Sequence, residues 1–150
     1  MSRFLAEPPH QHGQEARTGV VLVNLGTPDR PDAPSLRRYL KQFLSDDRVV
    51  EIPKAIWWFI LNLVILNVRP KRSAEKYALV WTGDGSPLRV HTERQAKLLR
   101  GWMVSQGRPD IEVRCAMRYG SPSIGDTLQQ MKADGFTRIV LIPMYPQSAS

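Results

Sequence analysis

Thr18-Gly19-Val20-Val21-Leu22-Val23-Asn24-Leu25 is a near-continuous β-branched and aliphatic run, cut short by the breaker cluster Gly26-Thr27-Pro28-Asp29. A run with so little polar alternation suits a parallel strand covered on both faces. Glu112 to Met117 and Arg138 to Pro143 (RIVLIP) read as second and third strands. Helical spacing fills the intervals. Ser35 is expected to cap a helix in which Leu36, Leu40, Phe43 and Leu44 recur, with Ser45-Asp46-Asp47 stopping it. Val49 to Ile52 reads as a short extended piece, and Ser73 to Trp81 as a helix ended by Thr82-Gly83-Asp84-Gly85. From Val90 to Ser105 a long amphipathic helix sets Gln95, Leu98, Leu99, Trp102 and Met103 on one side, with Arg94, Lys97 and Arg100 mostly on the other. Ser121 with Pro122 forms an N-cap and first-turn pair, opening a helix with Ile124, Leu128 and Met131 inward and Gly135 closing it. Strand, several helices, strand, helix, strand is the order of a parallel α/β sheet with right-handed crossovers.

At 150 residues the chain is about one domain, and 42% hydrophobic with 23% charged residues fits an ordinary globular protein. An excess of 21 basic over 14 acidic residues gives +7, which favours anionic partners: nucleic acid, lipid headgroups or a carboxylated small molecule. The single cysteine, Cys115, excludes an internal disulfide and a Cys-rich metal site within one chain, and its apolar surroundings suit a small buried hydrophobe. Residues 1–17 are polar, carry Pro8, Pro9, His10 and His12, and lack the apolar core of a signal peptide. They read as a disordered arm, and the cytoplasm is the expected compartment. His91 lies on a helix without an identifiable acid or nucleophile beside it, so a surface or packing role is expected.

Ala55 to Val68 (AIWWFILNLVILNV) is interrupted only by Asn62 and Asn67. At ~1.5 Å per residue it spans roughly 21 Å, short of the ~30 Å hydrocarbon core of a bilayer. Two readings stand: a buried helix, or an apolar lip exposed to a membrane surface or a flat hydrophobic ligand. Arg69-Pro70-Lys71-Arg72, next along, places cations where anionic headgroups would meet them.

No G-x-G-x-x-G follows the first strand, and Gly83-x-Gly85 leads into Ser-Pro rather than Lys-Ser/Thr, which excludes a dinucleotide fingerprint and a P-loop. The basic residues form no aromatic-basic stripe, so no nucleic-acid partner is expected. Four phrases instead punctuate the strand ends: VNLGTPD (23–29), GDGSPL (83–88), AMRYGSPS (116–123) and YPQSAS (145–150). With GVVLVNLGTPD, SLRRYLKQFLSD, RVVEIP and RP…SAEKY..VW in order, the chain from about Gly19 to Ser150 resembles ferrochelatase of the bacterial type.

That resemblance implies a class II chelatase-like architecture of two Rossmann-like lobes. On that reading residues 18–150 are expected to make one incomplete lobe, with the absent second lobe expected as its covalent partner. It implies insertion of ferrous iron into protoporphyrin IX, a flat apolar disc with two propionates. The substrate-binding residues it implies are Leu25, Arg69, Tyr77, Ser86, Arg118 and Tyr119, with Trp57, Trp58 and Phe59 on a hydrophobic lip open towards membrane. Arg, Tyr and Ser are donors suited to carboxylates, Arg as the bidentate partner. The resemblance places the proton-accepting histidine and the assisting glutamate beyond residue 150, so no catalytic residue is assigned here. Relatives with an iron–sulfur cluster carry a cysteine where this chain has Ala149, and no cluster is expected. The chain also lacks the aromatic that usually follows Tyr-Pro-Gln, and Gln147 runs directly into Ser148. An N-terminal, catalytically incomplete portion is therefore expected, cytoplasmic and peripheral at the inner membrane face. The alternative is a non-catalytic porphyrin-binding or membrane-surface module.

Overall fold

The computed structural model describes residues 16–146. The expectations placed on His10, His12, Gln147, Ser148 and Ala149, and on most of the N-terminal arm, lie outside the described residues. Arg17, assigned to that arm, belongs to the fold instead. Its guanidinium donates to the Asp134 carbonyl and lies over the Phe136 ring, and its own carbonyl accepts from the Thr137 and Arg138 amides.

The elements run β1 (Thr18–Gly26), α1 (Ala33–Leu44), α2 (Lys54–Phe59), a π-helical turn (Ile60–Ile65), α3 (Leu66–Val80), α4 (Pro87–Ser105), β2 (Glu112–Tyr119), α5 (Ile124–Ala133) and β3 (Arg138–Pro143). The three strands form a parallel sheet in the order β2-β1-β3. This is the Rossmann-like α/β arrangement, and β1 lies at its centre because its side chains are apolar on both faces. Val20 and Leu22 point to one face, where they meet Ala96 of α4, Ile111 and Val113. Val21 and Val23 point to the other, against Ala116, Met131 of α5 and Phe136. The period-two alternation of a strand thus sorts α4 and α5 to opposite sides. On the sheet's outer edge Val140, Leu141 and Ile142 of β3 stay exposed.

Several helix boundaries depart from the sequence expectations. Asp32, not Ser35, caps α1: its Oδ1 accepts the Ser35 amide at 2.7 Å, and Pro34 is tolerated in the first turn because its missing N–H needs no partner there. Ser123, not Ser121, caps α5, accepting the Asp126 amide at 3.0 Å, while the Pro122 carbonyl accepts the Met117 amide. Val49 to Ile52 forms no strand; the amides of Val49 and Val50 turn back onto the Asp46 carbonyl. On α4 the buried stripe is Thr92 and Ala96, continued by Leu99 and Met103, whereas Gln95, Leu98 and Trp102 are exposed. Small residues win that face because they let the helix approach β1, where Asn24 Nδ2 donates to Thr92 Oγ1 at 3.1 Å. Cys115 is only partly buried, beside the same cluster, and burial raises its thiol pKa.

The two expected helices over 55–68 and 73–81 are one helical run, Lys54–Val80, with Pro70 inside it. Proline cannot donate to the carbonyl four residues back, which is Leu66. Arg37 of α1 supplies that donor, its Nη1 reaching the Leu66 oxygen at 2.5 Å and Asn67 Oδ1 at 2.8 Å. The π-helical turn also shifts carbonyls out of α register, and Asn67 Nδ2 donates to those of Leu63 at 2.8 Å and Asn62 at 3.2 Å. The asparagines that break the apolar run thus donate to carbonyls of the helix itself.

Candidate functional site

The carboxyl ends of β1 and β2 meet at Gly26 and Tyr119, which are paired in the sheet. Gly26 has φ +116°, and a Cβ there would lie 1.8 Å from the Tyr119 carbonyl oxygen. Gly120, at φ +87°, would place a Cβ 2.6 Å from the Thr27 carbonyl oxygen. Only glycine meets both demands, positive φ and close backbone approach. The two breaker phrases therefore interlock, and ligand crevices in parallel α/β sheets form beyond such strand ends.

Hydrogen bonds fix the β1 end. Thr27 Oγ1 donates to Ser86 Oγ at 2.8 Å in a buried contact at the start of α4. Thr92 donates onward to the Leu88 carbonyl, and Asn24 Oδ1 accepts the Leu25 amide at 2.8 Å. Leu25 is left with its side chain partly exposed at the rim. From α1, the Tyr39 hydroxyl donates to the Gly26 carbonyl at 3.2 Å. Burial, with Tyr77 and Tyr119 nearby, pushes the Tyr39 pKa up to about 12. Tyr39 stacks on Phe43, whose ring meets Tyr119 edge-on at 5.1 Å between centroids.

The β2 end is held by one carboxylate. Asp46 Oδ2 accepts Arg118 Nη2 at 2.6 Å and the Tyr119 hydroxyl at 2.9 Å, while Oδ1 accepts the Arg48 amide at 3.0 Å. The Arg48 amide first, then the Tyr119 hydroxyl and Arg118, hold the Asp46 carboxyl below the usual range. Beside the strand ends opens a cleft of about 200 Å³, lined by Thr27, Tyr39, Gln42, Gly120 and Ser121, with Asp46, Arg118 and Tyr119 outside its lining. A second cleft of about 190 Å³ adjoins it through Pro28 and Asp29, reaching Trp81, Ser86 and Arg89. A larger cavity of about 530 Å³ lies elsewhere, between α4 and α5 along the outer edge of β2. It gathers none of the strand-end groups, and rim charges such as Arg114 and Arg100 already pair with Asp134 and Glu112.

Five of the six sequence-derived binding residues lie at or beside the strand ends, and of these Ser86 lines one of the two clefts. Leu25 and Ser86 flank the β1 end, Arg118 and Tyr119 close the β2 end, and Tyr77 of α3 stands beside Tyr39, half-buried. Arg69 is exposed on α3 and is not joined to this network. Of the lip residues, Trp58 and Phe59 are exposed and pack edge-to-face at 5.1 Å. Trp57 turns inward instead, donating its indole N–H to the Leu44 carbonyl at 2.6 Å. His91 is exposed on α4. Sequence reasoning passed over Asn24, Thr27, Tyr39, Asp46 and Thr92 as members of this network. Asn24 carried a visible signal, as the one amide in an otherwise apolar strand; Tyr39 and Asp46 carried none.

A parallel sheet with helices on both faces, and polar and aromatic groups gathered at its strand ends, defines a Rossmann-like α/β lobe. The family model described as ferrochelatase matches residues 17–150, and the chain belongs to the ferrochelatase family. It is 66% identical over 150 residues to a ferrochelatase of Dechloromonas aromatica and 61% identical over 150 residues to one of Aromatoleum aromaticum. Both matches take in 100% of this chain and 41% of the relative. A ferrochelatase of Janthinobacterium is 60% identical over 144 residues, 96% of this chain and 39% of the relative. The chain thus spans about two fifths of the length of these curated relatives.

Proposed function

We propose that this chain supplies the porphyrin-binding wall of a ferrochelatase, which inserts ferrous iron into protoporphyrin IX. The observation that carries this reading is the convergence of Leu25, Tyr77, Ser86, Arg118 and Tyr119 on the interlocked ends of β1 and β2, in a chain whose family is ferrochelatase. Apolar Leu25 offers contact to the macrocycle, and Arg118 offers a charged donor beside it. Pyrrole deprotonation needs a base with a pKa near neutrality. His91 is exposed on α4, and that step is assigned to the remainder of a full-length enzyme, the covalent partner of this lobe.

The helical run Lys54–Val80 is proposed as the lip. Ile56, Trp58, Phe59, Leu63, Val64 and Val68 leave a continuous helical stretch exposed, next to Arg69, Lys71 and Arg72. Among the described residues no helix is long and apolar enough to cross a membrane. The lip is therefore proposed to rest on the surface of the bilayer, at the cytoplasmic face of the inner membrane, where an apolar substrate would be taken up.

Protoporphyrin fluorescence titrated with the chain tests this reading, followed by anaerobic addition of ferrous iron. Saturable quenching is expected, weakened at least about tenfold when Leu25 and Arg118 are replaced together. Absence of saturable quenching would overturn the porphyrin assignment. Quenching without loss of free-base absorbance on adding iron would assign this chain binding rather than turnover.

A further inference from the structure

We propose that Asp46 is a positioning residue of the site, holding Arg118 and Tyr119 at the mouth of β2 from the loop that leads into the apolar helix. The proposal rests on the reading of Arg118 given above. Asp46 stands 72 residues from Arg118 in sequence, yet one of its oxygens accepts from both Arg118 Nη2 and the Tyr119 hydroxyl. The other oxygen and the backbone carbonyl accept the amides of Arg48, Val49 and Val50. Three donors, the Arg48 amide, Arg118 and the Tyr119 hydroxyl, thus orient the carboxylate. The Asp46 side chain is only 16% exposed, against 36% for Arg118. The anchor is thus shielded while the guanidinium it holds keeps part of its fork open to a ligand. Arginine recognises carboxylates through a planar, directional fork, so fixing its plane in advance lowers the ordering cost of binding.

The neighbouring residue is a built-in contrast. Asp47 is 67% exposed and pairs with Lys54, which is 83% exposed. Exposed pairs of that kind contribute little. Of the two adjacent aspartates, only Asp46 reaches the strand ends. Its turn also runs directly into Pro53 and α2, so it joins the site to the base of the proposed lip.

The test uses the 150-residue chain and two readouts. In ¹H–¹⁵N spectra, the Arg118 guanidinium should give a slowly exchanging signal that disappears in Asp46→Asn and persists in Asp47→Asn. Protoporphyrin affinity, read by fluorescence quenching, should fall about tenfold in Asp46→Asn, as expected for loss of a charge-assisted bond. In an Arg118→Met background the same change should cost less than about twofold, because residues acting through one another are not additive. An unchanged guanidinium signal in Asp46→Asn, or full additivity with Arg118→Met, would overturn the positioning role. An Arg118→Met chain that binds porphyrin like the parent would instead sink the functional reading of Arg118, and the proposal with it. Asn is nearly isosteric with Asp, and an unchanged thermal transition separates loss of positioning from loss of fold.

Discussion

At the strand ends, polar groups from β1, β2, α1 and α4 answer one another: Thr27 meets Ser86, Asn24 meets Thr92, Tyr39 meets the Gly26 carbonyl, and Asp46 meets Arg118 and Tyr119. Along Lys54–Val80 the situation is reversed. Polar side chains such as Asn62, Asn67 and Arg37 serve the helix itself, and apolar side chains are left on the surface. One region is organised before any ligand arrives; the other presents area that gains free energy only when something covers it. The proposed site for a flat apolar molecule with a charged edge draws on both, and they are built from different stretches of sequence joined by α1.

The sharpest way to break the first region is to add one carbon. In Gly26→Ala the new Cβ meets a backbone oxygen at 1.8 Å with φ at +116°, so the pairing of β1 with β2 must open. Destabilisation on the order of 4 kcal/mol or more is expected, or failure to fold. Gly83→Ala, where a Cβ would meet nothing within 4 Å, should cost less than about 0.5 kcal/mol. Urea unfolding of the two variants measures the gap; equal midpoints would mean the strand ends are plastic rather than interlocked.

The helical run divides along its own length, and a pair of leucines exposes the division. Leu66 is 1% exposed in a cluster with Leu44 and Leu61, whereas Leu63, one turn earlier, is 64% exposed. Leu66→Ala should cost about 3 kcal/mol by removing buried methyls, and Leu63→Ala less than about 0.5 kcal/mol. If the exposed face is a lip, Leu63→Ala combined with Trp58→Ser should still weaken sedimentation with phosphatidylglycerol vesicles. Substantial destabilisation by Leu63→Ala would mean that this face is already packed.

What sequence revealed and what it hid follow the same division. The apolar run of β1 was legible because a central parallel strand is buried on both faces and needs no partner information. The phrases VNLGTPD and AMRYGSPS were legible because positive φ and close backbone approach at Gly26 and Gly120 narrow the choice to glycine, whereas GDGSPL leads from α3 into α4 rather than lying at a strand end. By contrast, the continuity of Lys54–Val80 through Pro70 was hidden, since the donor that replaces the missing amide comes from Arg37, on a different helix. The buried face of α4 was misread because Leu98 and Trp102 are more apolar than Thr92 and Ala96, while the packing rewards small size and the bond from Asn24. Asp46 looked like a helix stop, and it is one; its reach to Arg118 exists only after the chain has folded.

Tyr39 touches both regions, bonding the Gly26 carbonyl at the strand end while standing beside Tyr77 on the helical run. Deleting its hydroxyl is the most specific of these changes. Tyr39→Phe keeps the ring stacked on Phe43 and deletes only the hydroxyl, at a cost of about 1 kcal/mol near neutral pH. The alkaline limb gives the discriminating signature. An unfolded tyrosine ionises near ~10, whereas folded Tyr39 holds its proton to about 12. Its raised pKa therefore contributes stability that is fully present below the unfolded value and is lost as pH rises through the folded one. Tyr77 and Tyr119 shift in the same direction, burial being the first cause for each, so the parent protein should lose stability steadily over that window. Tyr39→Phe should flatten the decline without abolishing it. Identical slopes in parent and variant would place the Tyr39 hydroxyl in contact with water, and the joint between strand end and helix would then rest on ring packing alone.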